Sequence, residues 1–109
     1  MKKLITMGLL DMIGLGGNKQ DVAEMIQKGA VIIDVRSKGE FVGGHIKGSK
    51  NIPLDQLNNR VQEIKGFGKP IVTCCASGMR SGSAASALKK HGLEVVNGGG
   101  WMSLNSRLG

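Results

Sequence analysis

Two short, uninterrupted runs of apolar and mostly β-branched residues, Val31-Ile32-Ile33-Asp34-Val35 and Ile71-Val72-Thr73-Cys74, constrain this chain more than any other feature. A strand with one face in water alternates apolar and polar side chains, so runs without alternation read as strands covered on both faces. Patterns of helical period lie around them. Residues 21–28 place Val22, Met25 and Ile26 on one helical face, with Gly29 as a stop. Leu54, Leu57, Val61 and Ile64 make a second stripe with a loose exit at 66–68. A third helix follows residue 82, buries Ala84, Ala85 and Leu88, and stops at Gly92 after Lys89, Lys90 and His91. Val95-Val96 predicts a further short strand. Strands separated by helices through short connections predict an α/β fold with a central parallel sheet flanked by helices on both faces.

The length of 109 residues and the 40% hydrophobic content suit one core, and no linker or internal repeat divides the chain. Fifteen Lys and Arg against eight Asp and Glu give a net charge of +7. The basic residues are dispersed, and Phe41, Phe67 and Trp101 are the whole aromatic complement, so neither a basic stripe nor a stacking platform for nucleic acid is present. Attraction of small anions is the remaining consequence of the charge. Cys74 and Cys75 are adjacent and cannot staple distant segments, which points to a reducing compartment and a cytoplasmic location. The start, Met1-Lys2-Lys3-Leu4-Ile5, has the charge of an export signal, but Asp11 interrupts the apolar run and no small-x-small cleavage site follows. We read it as an amphipathic segment packed on the domain, and no stretch reaches the length of a membrane span.

The chemistry concentrates where the second apolar run ends. Cys75-Ala76-Ser77-Gly78-Met79-Arg80-Ser81 leads from a predicted strand into a predicted helix. Unpaired amides at a helix start, with the positive end of its dipole, favour an anion there, so a thiolate and an anionic substrate are both served by one loop. In open parallel sheets, ligands gather at the carboxyl ends of strands; Cys75 lies at one such end and Asp34-Val35-Arg36 at another.

Asp34-Val35-Arg36, Glu40-Phe41 and Gly44-His45-Ile46-Lys47-Gly48-Ser49-Lys50-Asn51-Ile52-Pro53, followed by the Cys75 to Ser81 loop, resemble in order the signatures of rhodanese-like domains. The resemblance implies a single rhodanese-like domain over residues 18–109, with residues 1–17 as an N-terminal extension. It implies a sulfurtransferase in which Cys75 accepts a sulfane sulfur as a persulfide and passes it to cyanide, a small thiol or a protein cysteine. It implies no metal and no organic cofactor. Amides of Ala76, Ser77, Gly78, Met79, Arg80 and Ser81 would form the cup that receives the substrate, with Gly78 free to adopt backbone angles that other residues avoid.

Competing readings attach to each residue. Related phosphatases carry a C-x5-R loop, whereas Cys75 to Arg80 is one residue shorter and suits a smaller reacting atom. A binding or regulatory module on the same scaffold is the other alternative, and the presence of Cys75, Gly78 and Arg80 favours an enzyme. Arg80 is expected to contact an anion, to brace the loop through a salt bridge to a carboxylate such as Glu40, or both. Asp34 and Arg36 are expected to shape the neighbouring loop as an ion pair. His45 is expected to be structural support, not a general base. Cys74 is expected to point into the core, and 98–100 to form a close-approach turn beside the loop. The uncharged Ala76, Ser77 and Met79 leave the donor open between thiosulfate and a persulfide, including one carried by a protein partner.

Overall fold

The computed structural model describes residues 19–108. Four strands, β1 (Val31–Asp34), β2 (Lys50–Asn51), β3 (Ile71–Cys75) and β4 (Val95–Gly100), form one sheet in the order β2-β1-β3-β4 with every pairing parallel. Among the described residues, five α-helices accompany them: α1 (Lys19–Gln27), α2 (Lys38–Val42), α3 (Val61–Gly66), α4 (Met79–Lys90) and α5 (Trp101–Leu108). A 3₁₀-helix, Leu54–Arg60, runs into α3. The α/β fold is therefore the one expected. The reading of residues 1–17 as an extension packed on the domain lies outside the described residues.

Side-chain alternation divides the core into two layers. Val31, Ile33, Ile71, Cys75 and Val95 face one cluster with Leu57, Val61, Ile64, Ala84, Ala85 and Leu88. Ile32, Val72, Cys74 and Val96 face the other, with Val22, Met25, Ile26 and Leu104. Thus the 3₁₀-helix, α3 and α4 cover one side and α1 and α5 the other, which is why the strand runs carry no polar alternation.

Several boundaries differ from expectation for physical reasons. The stripe Leu54 to Ile64 is split into a 3₁₀-helix and α3, because Asn58-Asn59 is a poor α-helix interior while Leu57 and Val61 still reach the core. Strand β2 has only polar Lys50 and Asn51 and is held by backbone pairing to Ile33 and Asp34, so its composition gave no strand signal. Helix α5, unpredicted, buries Leu104, and its Trp101 and Leu104 share a face at helical spacing. The helix after the cysteine loop starts at Met79, four residues before the small-residue run. Residues 98–100 are the end of strand β4, not a turn.

Candidate active site

Strand β1 is followed in the chain by β2 on one side and paired with β3 on the other, which opens a crevice at the carboxyl ends of β1 and β3. The Cys75 side chain stands at that end of β3. Only residues 76–78 separate it from α4, whose N-cap is Gly78 at φ +101° with no side chain to cap the helix. Sulfur takes the capping role. Cys75 Sγ accepts the Gly78 N–H at 3.0 Å and the Ser81 N–H at 3.3 Å, and lies 3.3 Å from Ser81 Oγ. Burial pushes the Cys75 thiol up, but the hydroxyl and amide of Ser81 and the amides of Gly78 and Ser77 outweigh it, and the net shift is below the ordinary value.

Among Ala76, Ser77, Gly78, Met79, Arg80 and Ser81, hydrogen bonds to the sulfur come from Gly78 and Ser81. Ala76 and Ser77 are exposed, and Met79 points outward at 71% exposure. Cys75 itself is fully buried, with 0% exposure.

Strand β4 closes the other side. Thr73 pairs with Asn97 and Cys75 with Gly100, so β4 carries one extra residue opposite Cys75, a bulge in which Gly99 has φ +84°. A Cβ at Gly100 would sit 2.9 Å from the Ala76 carbonyl oxygen, and one at Gly98 would sit 2.7 Å from Val72 Cγ1 and 2.8 Å from the Thr73 carbonyl. These glycines let β4 lie directly against the loop. Asn97, which the sequence reading passed over, is buried within the bulge and bonded to Ser81, Gly78 and Gly99. A buried asparagine between valines and glycines was the available signal, since a buried amide demands partners.

The supporting residues divide into two groups. Asp34 and Arg36 form a buried ion pair at 2.7 Å, and Arg36 also donates to the carbonyls of Glu40 (3.3 Å) and Gly44 (2.8 Å) beneath the Trp101 ring. These bonds tie the end of β1 to the segment that follows it. Arg80 grips Glu40 through two hydrogen bonds of 2.7 and 3.0 Å, both side chains being 39% exposed. Ser37 caps α2 in a box with Glu40, so this pair joins the starts of α2 and α4 across the site. With its guanidinium committed to Glu40, Arg80 acts as a brace in the resting state. His45 is exposed, stacks on Phe41 at 3.7 Å and pairs Nδ1 with the Phe41 carbonyl at 2.7 Å, away from the sulfur contacts. Cys74 faces the opposite core layer, and burial pushes its thiol up to about 12. Both cysteines are free thiols. Beside Arg80 an open cleft of about 530 Å³ is lined by Ser37, Asp55, Gln56 and Lys38.

Among the described residues, no helix is long and apolar enough to cross a membrane. Comparison with known proteins agrees with the fold. The Rhodanese-like domain family profile matches residues 18–106. The uncharacterized protein YqhL of Bacillus subtilis (strain 168) is 51% identical over 69 residues, 62% of this chain; the match spans 54% of YqhL, about half its length. Thiosulfate sulfurtransferase GlpE of Haemophilus influenzae (strain PittEE) is 32% identical over 77 residues, 71% of this chain and 72% of that protein. A crystal structure of a rhodanese-related protein from Thermoplasma volcanium superposes with a TM-score of 0.66 at 31% identity, over 83% of this chain and 88% of that one. The chain belongs to the rhodanese-like domain family.

Proposed function

We propose that this protein is a sulfurtransferase acting through Cys75. The thiolate attacks the sulfane sulfur of thiosulfate or of a persulfide donor, the donor's sulfur–sulfur bond breaks, and sulfite or the donor thiolate leaves with the bonding pair. Cys75 then carries a persulfide. A thiophilic acceptor, such as cyanide, a small thiol or a protein cysteine, attacks the outer sulfur and returns Cys75 to the thiolate. Cyanide attacks as the anion, whereas a thiol acceptor first loses its own proton to solvent.

The observation that carries this reading is the coordination of the Cys75 sulfur by the Gly78 and Ser81 amides at the start of α4. Two fixed N–H donors stabilise negative charge on the Cys75 sulfur, as the attacking thiolate and again as the thiolate released when an acceptor takes the outer sulfur, without reorganisation. The name of the Haemophilus influenzae relative supports the same chemistry. Lys38 in the cleft beside Arg80, together with the net charge of +7, supports an anionic donor. The uncharged outward Met79 supports acceptance of a bulkier persulfide partner at the same mouth. We place the protein in the reducing cytoplasm, where both cysteines stay as thiols.

Purified protein incubated with thiosulfate and cyanide is expected to release sulfite and form thiocyanate, and Cys75→Ser is expected to do neither. Hydrolysis of a phosphate ester with no sulfur transfer from any donor would contradict the proposal.

A further inference from the structure

The Ser81 hydroxyl has one proton and two acceptors. Its Oγ lies 2.7 Å from Asn97 Oδ1 and 3.3 Å from Cys75 Sγ, and all three residues are buried. The orientation of the Asn97 amide is fixed by its surroundings: Oδ1 also accepts the Gly99 N–H at 2.9 Å, and Nδ2 donates to the Gly78 carbonyl at 3.1 Å. Thr73 Oγ1 donates to the Ser81 carbonyl at 2.8 Å, so the serine backbone is fixed as well.

We propose that Asn97 is a positioning residue that works with Ser81 as a two-position hydroxyl switch on the Cys75 sulfur. While Cys75 is a thiol, its S–H donates to Ser81 Oγ and the Ser81 O–H donates to Asn97 Oδ1. When the thiol proton leaves to solvent, the Ser81 hydroxyl turns about its Cβ–Oγ bond and donates to the sulfur anion. Asn97 Oδ1 then keeps the Gly99 N–H, so no buried acceptor is left without a partner in either state. Once the sulfur carries a persulfide, the negative charge moves to the outer atom and the hydroxyl returns to Asn97. The amide therefore tempers the thiolate, because its formation costs the hydroxyl a short bond to Oδ1.

The other ionisable groups around Cys75 are static by comparison. Arg80 on α4 is held by Glu40 of α2, Asp34 is paired with Arg36 at the end of β1, and Cys74 faces the opposite layer. Strand β4, Val95–Gly100, contributes no ionisable side chain. Asn97 is thus the polar group through which β4 acts on the sulfur.

The inference rests on Cys75 being the reacting group of the proposed sulfurtransferase, but its test uses no sulfur donor, so the two can fail separately. The rate of iodoacetamide alkylation of Cys75 is followed against pH in the full chain, with the site identified by peptide mass. Ser81→Ala is expected to move the midpoint up. Asn97→Ala is expected to move it down by about half a unit to one unit, the worth of one net hydrogen bond, and Ser81→Ala/Asn97→Ala is expected to follow Ser81→Ala. If Asn97 only braced Gly78, its removal would loosen the amide cup and raise the midpoint with or without Ser81; that result overturns the switch. Should Asn97→Ala fail to fold, the wild-type protein supplies the test: the ¹³Cγ resonance of Asn97 is expected to titrate with the Cys75 midpoint, and a pH-independent resonance overturns the switch.

Discussion

At the residue scale, adjacent cysteines of identical chemistry acquire opposite properties because a strand turns successive side chains to opposite faces. Cys75 ends in a ring of donors and is pulled below the ordinary value of 9.0, whereas burial holds Cys74 near 12. Alkylation at neutral pH is therefore expected to label Cys75 alone in the native protein, with Cys74 reacting only after denaturation; peptide mapping checks this, and early labelling of Cys74 would count against the assignment. For an acid whose folded value is depressed, the anion predominates from that depressed value upward, so the alkylation profile should rise at lower pH than that of a denatured control. Full burial of Cys75 adds a second expectation. Native Cys75 should discriminate between small and bulky alkylating reagents more strongly than a free thiol does, since the larger reagent demands a wider opening around the sulfur.

At the element scale, the site depends on α2, α4 and β4 converging on one loop. The Arg80 guanidinium beside Glu40, aided by the Ser37 cap, holds the Glu40 carboxyl at about 2, below its ordinary 4.5. A depressed acid contributes stability above its unfolded value and loses it as pH falls through the folded one. The contribution should therefore be intact above about 4.5 and gone near 2, and Glu40→Gln should flatten the wild-type dependence of Tm on pH across that window. On the other side, Gly98→Ala must push a methyl group into Val72 and the Thr73 carbonyl. Overpacking of this kind is expected to cost about 1–3 kcal/mol in denaturant unfolding. The loop itself was readable from the sequence because Cys75, Gly78 and Arg80 are close along the chain. The Arg80–Glu40 brace was readable as one of several partners. Asn97 was not, because its contact with Ser81 spans sixteen residues and exists only once β4 is bulged beside β3. Likewise β2 escaped notice because two polar residues acquire strand geometry only from the neighbouring β1, and α5 because its start is fused to the glycine run.

At the scale of the whole molecule, one sheet with two apolar faces sets both stability and chemistry. Leu88 and Leu104, each fully buried on opposite faces, are expected to cost about 2–5 kcal/mol apiece as alanine variants in equilibrium unfolding. The net charge of +7 adds a long-range field that salt screens. With anionic thiosulfate as donor, kcat/KM is expected to fall as ionic strength rises, while an uncharged persulfide donor should show little change; equal salt dependence for both would remove any role for the overall charge. Everything proposed for this fold returns to one sulfur atom at the end of β3. Intact-protein mass spectrometry after brief exposure to thiosulfate or a persulfide, followed by removal of the donor, measures it most directly. The account predicts a species one sulfur atom heavier, located on Cys75, discharged by cyanide and absent from Cys75→Ser; a folded protein that never gains that mass, or gains it on Cys74, would contradict it.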